Sequence, residues 1–157
     1  GPGDGLVQQR VAAVSAHPGF FYLSPRQAGS KAPSDLESTI AAHGASDARV
    51  HRGTSTWWAL VPRQNIHADA AFLEAVAGLG DIEVREDFSM VTVVGRALTA
   101  APAVLPVATL ALAQHQIMPM EQTIDPGRVE FLIKVEDAQR AVEILHDALI
   151  PGGESAP

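Results

Sequence analysis

Hydrophobic positions recur with two different spacings along the chain, and these spacings predict a repeated order of strands and helices. Short apolar or alternating runs bounded by Gly or Pro are typical of strands, whereas apolar residues three or four positions apart are typical of helices. The predicted strands are residues 19–23, 48–61 with a turn near Arg52-Gly53, 82–85, 90–95, 117–124 and 128–135, and residues 6–15 fit a strand or a short helix. The predicted helices are residues 34–44, 69–80, 103–115 and 137–149.

Two of the predicted helices carry further signals. In the first helix, Ser34 is a candidate N-cap and Gly44 can end the helix. The third helix is expected to turn one apolar stripe towards a core, and the residues assigned to that stripe are Val107, Leu110 and Ala111.

The elements run twice through nearly the same order, which indicates an internal duplication. Each run fits a ferredoxin-like βαββαβ unit, in which an antiparallel sheet carries both helices on one face. The second run lacks its last strand, and residues 6–15 would supply it. We therefore predict an α+β fold of two such units, with the first inserted into the second.

The predicted boundaries follow from this arrangement. The first unit comprises residues 17–83, and the second comprises residues 6–16 together with 84–150. Residues 1–5 are interpreted as a linker of non-native origin, and residues 151–157 as a disordered tail.

The charge balance argues against two classes of partner. The net charge is −7, and the 11 Lys and Arg residues are scattered without a basic run. Nucleic acids and anionic membrane surfaces both attract positive charge, so we expect binding to neither. No apolar stretch is long enough to span a bilayer, and we expect a cytoplasmic protein. The absence of cysteine excludes disulfides and thiolate chemistry.

Motifs for catalysis or metal binding are not recognisable in the sequence. There is no Gly-rich phosphate loop with a Lys, no carboxylate pair in a plausible cleft motif, and no Ser with a basic partner at motif spacing. The six His residues do not show the spacing of a zinc site. We predict that this chain by itself has no catalytic residues, no metal site and no cofactor.

A set of positions between residues 91 and 149 follows one family pattern in a single register without gaps: Val91, Val94, Gly95, Pro102, Val104, Ala111, Leu112, Ile117, Thr123, Val129, Ala141, Val142, Leu145 and His146. With these positions, residues 91–149 resemble the second ACT unit of the aspartate kinases. Over residues 19–81 only the order of elements agrees. In that family the first ACT unit is inserted into the second behind a leading strand, which is the arrangement predicted above.

Three departures from the family pattern affect its functional positions. Ala103 stands where the family has Gly after Pro, residues 117–119 replace an Ile-Asn-Ile run, and residues 123–126 replace a Ser-Thr-Ser-Glu run. Because Pro cannot donate to a strand ladder, Pro119 and Pro126 predict edge strands or bulges.

The resemblance implies an amino-acid-sensing regulatory module. ACT units bind a free amino acid where the loop after the first strand meets the first helix, whose unpaired N–H groups suit the α-carboxylate. By resemblance, lysine or threonine would control an aspartate kinase, and ATP and Mg²⁺ would be confined to a separate N-terminal kinase domain. Two copies would form a homodimer through their ACT sheets. The departures suggest that sensing is weakened or lost.

The effector residues implied by the resemblance belong to the first unit. They are Ser24, Gly29, Ser30, Lys31 and Ser34 in the loop and cap, with Asp47 at or beside the acidic position of the second strand. In the second unit the corresponding loop is residues 96–102, and Ala103 prevents the close backbone approach that Gly permits. The alternative interpretation of the first-unit loop is an ordinary polar loop and helix cap.

Trp57 and Trp58 are neighbours on a predicted strand, so their side chains should point to opposite faces of the sheet. One is expected to enter the core and the other to lie on the open face, where the pair indicates an interface with a second unit or chain.

Two other functions remain open at this point. The module could act only as a structural dimerisation scaffold, because antiparallel sheets expose edges that pair readily. It could also be an ACT sensor attached to another enzyme of amino-acid metabolism.

Overall fold

The computed structural model describes residues 11–96 and 104–150. Four sequence-based expectations lie outside these ranges: the linker at residues 1–5, the beginning of the leading strand, nearly all of the second-unit loop with Ala103, and the tail at residues 151–157.

Eight strands and four helices are assigned in the described part of the chain. The strands are β1 (Val11–Pro18), β2 (Phe20–Pro25), β3 (Arg49–Arg52), β4 (Trp57–Pro62), β5 (Ile82–Arg85), β6 (Phe88–Gly95), β7 (Glu121–Asp125) and β8 (Arg128–Lys134). The helices are α1 (Leu36–Ala42), α2 (Asp69–Ala77), α3 (Val104–Gln114) and α4 (Val135–Leu149), and a single 3₁₀ turn covers Arg63–Asn65.

The chain divides into two compact units, one of which interrupts the other in sequence. The inserted unit is Gly19–Phe88, and the outer unit combines the segment ending at Pro18 with the segment beginning at Ser89. Each unit contains one four-stranded antiparallel sheet and two helices, so the predicted α+β fold of two ferredoxin-like units is confirmed. The predicted division after residue 83 would cut β5, whereas the structural division follows that strand.

The inserted unit has the strand order β3-β4-β2-β5. Along β2 and β4 every second side chain enters a core that is closed by α1 and α2, as the period of a strand requires. The fully buried members of this core include Phe21, Leu23, Leu36, Ile40 and Phe72. The rings of Phe21 and Phe72 lie 5.4 Å apart between their centroids.

The outer unit has the strand order β1-β6-β8-β7, which is the same order when its strands are counted from β6. β1 pairs antiparallel with β6 and supplies the last strand of this unit, although it comes first in the chain. Pro119 precedes β7 and Pro126 follows it, and β7 is an edge strand, as the two prolines indicated.

The buried face of α3 differs from the predicted one. The structure buries Val104, Ala108 and Leu112, whereas Leu110 is 60% exposed. The sequence of this helix is apolar on almost every side, so its periodicity does not single out one face.

Candidate effector cleft in the inserted unit

A cleft of about 270 Å³ lies in the inserted unit between the loop after β2 and the hairpin that joins β3 to β4. It is lined by residues 29–32 of the loop and residues 52–57 of the hairpin, and we call it the hairpin cleft. Both β2 and β3 pair antiparallel with β4, so they run in the same direction and their C-terminal ends lie at the same end of the sheet. This topology brings the two segments together although their nearest residues, Ala32 and Arg52, are 20 positions apart in sequence.

Arg52 ties the hairpin to the loop. Its guanidinium donates from Nε and Nη2 to the two carboxylate oxygens of Glu37 in the first turn of α1. It also donates to the carbonyl oxygens of Ala32 and Pro33, at 3.4 and 3.3 Å. The hydrogen bonds from Arg52 lower the pKa of the Glu37 carboxyl, and those same bonds raise the pKa of Arg52. The planar fork of Arg suits this geometry better than a Lys ammonium would.

The turn of the hairpin is rich in hydroxyl groups. It contains Thr54, Ser55 and Thr56, all exposed, and the amide of Gly53 donates to the carbonyl oxygen of Thr56 at 2.8 Å. Each hydroxyl can both donate and accept a hydrogen bond, so this side of the cleft suits a polar ligand.

One buried donor lies at the cleft without an acceptor. Trp57 lines the cleft, only 3% of its side chain is exposed, and its indole Nε1–H has no hydrogen-bond partner in the described structure. A buried N–H without a partner costs about 1–3 kcal/mol, so an acceptor that reached it would be stabilising.

The opposite side of the cleft is formed by the predicted effector loop. Gly29, Ser30 and Lys31 all line the cleft, and the Lys31 side chain is exposed. Within the described residues, Lys31 has neither an ion-pair nor a hydrogen-bond partner. It is therefore available to a ligand with a negative charge.

Comparison with solved structures identifies the fold. The ligand-free regulatory subunit of aspartate kinase from Thermus thermophilus matches with a TM-score of 0.68 at 18% identity, over 88% of this chain and 98% of that chain. Aspartate kinase from Clostridium acetobutylicum gives 0.74 at 12% identity, over 89% and 35% of the two chains. E. coli aspartokinase III with lysine and aspartate gives 0.63 at 15%, over 88% and 33%. This chain has the fold of the aspartate kinase regulatory region.

Of the three comparisons with known proteins, only the one with solved structures finds a match. No protein-family model matches the sequence, and neither does any curated protein. Against the complete kinases the chain corresponds to about a third of their length, whereas it spans nearly the whole of the isolated regulatory subunit.

Three of the predicted effector residues do not line the cleft of this regulatory fold. Ser24 lies within β2, opposite Glu83 of β5. Ser34 precedes the helix, where Asp35 takes the N-cap position without a side-chain cap. The predicted Ser34 cap is therefore wrong, and α1 begins at Leu36.

Asp47 lies at the other end of β3 from the cleft. It precedes the strand and accepts a hydrogen bond from Asn65 Nδ2 at 2.9 Å. An extended chain rises about 3.3 Å per residue, so the three steps of β3 from Arg49 to Arg52 alone span about 10 Å, and Asp47 lies beyond Arg49. The acidic residue expected to take an α-ammonium group is thus remote from the hairpin cleft of this regulatory fold.

The hairpin side of the cleft was not predicted from the sequence. Residues 52–56 belong to the predicted strand segment 48–61 with its turn near Arg52-Gly53, although the run Arg-Gly-Thr-Ser-Thr combines a cation with three hydroxyls. That composition was the available signal, but the pairing of this turn with residues 29–32 requires the strand order.

Trp57 and Trp58 point to opposite faces of the sheet, as their positions indicated. Trp57 belongs to the core of the inserted unit, so it is not available for the predicted interface. Trp58 is half-buried on the other face, where its ring stacks on those of His51 and Tyr22. The ring centroids are 5.6 Å apart for His51 and 6.2 Å apart for Tyr22. Only Trp58 remains a candidate for that interface.

Metal-binding clusters and membrane-spanning helices are both absent from the described part of the chain, residues 11–96 and 104–150. Within these ranges no cluster of three or more His, Cys, Asp or Glu side chains could hold a metal ion. Across the same ranges, no helix is both long and apolar enough to cross a membrane.

Proposed function

We propose that this chain is an amino-acid-sensing regulatory module of an aspartate kinase-like enzyme, with lysine or threonine as effector. The observation that carries the proposal is the hairpin cleft. The loop that sequence reasoning selected for effector binding forms one wall of a cleft in a chain with the aspartate kinase regulatory fold. The E. coli neighbour was solved with lysine and aspartate, which supports a free amino acid as the class of ligand.

The parent enzyme is part of this proposal. We expect the kinase activity, with its ATP and Mg²⁺, to reside in an N-terminal kinase domain and the regulatory chain to act in the cytoplasm. Effector binding would control that domain only if the effector binds two arrangements of the protein with different affinities.

A thermal-shift screen of the chain against the proteinogenic amino acids tests the proposal. A ligand that binds only the folded state, at about 100 times its Kd, stabilises by about 2.7 kcal/mol. For a chain of this size that corresponds to a rise in Tm of roughly 5–10 °C. A selective rise with one or a few amino acids is the expected result.

A matched pair of serine variants tests whether the ligand binds in the hairpin cleft. Ser30 lines the cleft, whereas Ser34 lies a few residues further along the same segment and does not. Ser30→Ala should reduce the ligand-induced shift and Ser34→Ala should leave it unchanged. If no amino acid shifts the Tm of a well-folded sample, the sensing function is rejected.

A scaffold function is the second candidate, and the edge strand β3 favours it. β3 pairs with β4 on one side, and none of the described strands pairs with its other side. Trp58 lies beside it, on the face of the sheet that points away from the core of the inserted unit. We propose a homodimer through these sheets, for which light scattering should give twice the monomer mass of 16.5 kDa. A Trp58→Ala variant should be more monomeric, and a wild-type chain that is monomeric throughout would contradict this proposal.

A further inference from the structure

The charges that line the hairpin cleft are unbalanced. Lys31 and Arg52 both line it, and none of the lining residues is an Asp or Glu. The two cations are not equivalent. Arg52 is engaged by Glu37 and by two loop carbonyls, while Lys31 has no partner among the residues described. Lys31 is therefore the group that an incoming anion would meet.

This imbalance affects the ends of a free amino acid differently. The α-carboxylate gains an ion pair with Lys31 and can accept further hydrogen bonds from the lining hydroxyls. A positively charged side chain gains no carboxylate partner inside the cleft and is repelled by Lys31, whereas the charge of Arg52 is paired with Glu37. Asp47, the acidic group expected on the second strand, does not supply the missing negative charge, because it is hydrogen-bonded to Asn65 at the far end of β3.

The polarity and the size of the cleft also bear on which amino acid it can hold. The hydroxyls of Thr54, Ser55 and Thr56 can pair with a hydroxyl on a ligand side chain and can accept from its α-ammonium group. A volume of about 270 Å³ lies just below the range for drug-sized ligands, and every small amino acid is smaller than such a ligand. Charge, and not volume, is thus the property by which the cleft separates threonine from lysine.

We propose that the hairpin cleft holds an amino acid by its α-carboxylate at Lys31, and that it selects an uncharged, hydroxyl-bearing side chain such as that of threonine against the cationic side chain of lysine. This selectivity rests on the sensing function proposed above. Lys31 is its specificity-determining residue, because it supplies the positive charge that is free to act on the ligand.

Titrations of the whole chain with L-threonine and L-lysine test the proposal. A Trp58→Phe background leaves Trp57, which lines the cleft, as the sole tryptophan, so its fluorescence reports binding there. Threonine should bind at least tenfold more tightly than lysine. Lys31→Glu should weaken threonine at least tenfold and reverse the order of the two ligands. Lys134→Glu, which inverts the charge of another exposed lysine in the outer unit, is the control and should change neither affinity by more than twofold.

The outcomes separate the selectivity from the sensing function. Lysine binding as tightly as threonine, or a Lys31→Glu variant with an unchanged ratio of affinities, overturns the selectivity and leaves amino-acid sensing standing. Failure of every amino acid to bind overturns both. Circular dichroism of each variant establishes that it is folded, and Lys31→Met, which removes the charge without inverting it, should give an intermediate loss of threonine affinity.

Discussion

Gly44 provides the most direct test of how the inserted unit is packed. It follows α1 with a φ of 110°, in the left-handed region that favours glycine. A Cβ at this position would come closer than 3.0 Å to the backbone carbonyl oxygen of Asn65 and would lie 2.8 Å from the ring of His67. Gly19 has a similar φ of 97°, but a Cβ there would have nothing within 4 Å. The two glycines therefore separate backbone strain from steric overlap.

The expected costs follow from this difference. Gly19→Ala should lower the free energy of unfolding only by the strain of a left-handed non-glycine residue, about 1–2 kcal/mol. Gly44→Ala should add about 1–3 kcal/mol of overpacking against a backbone atom. It should also weaken the hydrogen bond from the His67 amide to the His43 carbonyl oxygen, now 2.9 Å long, at a cost of about 1 kcal/mol. The totals are about 1–2 kcal/mol for Gly19→Ala and about 3–6 kcal/mol for Gly44→Ala.

Urea unfolding followed by tryptophan fluorescence measures these costs. Both tryptophans of the chain, Trp57 and Trp58, lie in the inserted unit, so the signal reports unfolding of that unit. The free energy of unfolding should fall at least 1 kcal/mol further for Gly44→Ala than for Gly19→Ala. Equal losses in the two variants would refute the reasoning, because they would mean that residues 65–67 move aside at no cost.

Three further perturbations have defined outcomes. Hydrogen bonds from Arg52 lower the pKa of the Glu37 carboxyl. The ionised carboxylate therefore stabilises the folded state above the ordinary carboxyl pKa, and this stabilisation is lost as the pH falls through the lowered pKa. In carboxyl-detected NMR, Arg52→Ala should return the titration midpoint of Glu37 to its ordinary value. Arg63→Met removes two ion pairs and a guanidinium 4.7 Å above an aromatic ring, and urea unfolding should show a loss of about 1–2 kcal/mol that Arg63→Lys recovers only in part. Leu145→Ala in the core of the outer unit should cost about 2–5 kcal/mol by thermal unfolding, against less than about 0.5 kcal/mol for Leu110→Ala on the surface.

The helices show which parts of the fold could be predicted from the sequence. α4 has charged and apolar residues on separate sides. Of the four residues whose spacing predicts its inward face, Ala141, Leu145 and Leu149 are buried and Ile144 is half-buried. α3 has no such separation, so the choice between Leu110 and Leu112 as the inward residue depended on the sheet beneath the helix. Periodicity locates both helices, but it orients only the one with a polar face.

The hairpin cleft shows the same limit for a functional site. The loop at residues 29–32 was predicted because the family resemblance points to the connection after the first strand, and it does line the cleft. Asp47 was selected because the resemblance puts it at or beside the acidic position of the second strand, and it lies at the end of β3 away from the cleft. Residues 54–56 carry no motif, and they reach the cleft only because β3 and β4 pair beside β2.

The sequence by itself determined the order of the elements and the type of all but the leading one, because hydrophobic period, turn residues and prolines act locally. It also determined the duplication and, through the resemblance at residues 91–149, the regulatory class of the fold. The tertiary structure decided which face of α3 is buried, which tryptophan enters the core, and which polar residues share a cleft. These features depend on strand order and on contacts between segments distant in sequence, and the pattern of any one segment contains neither.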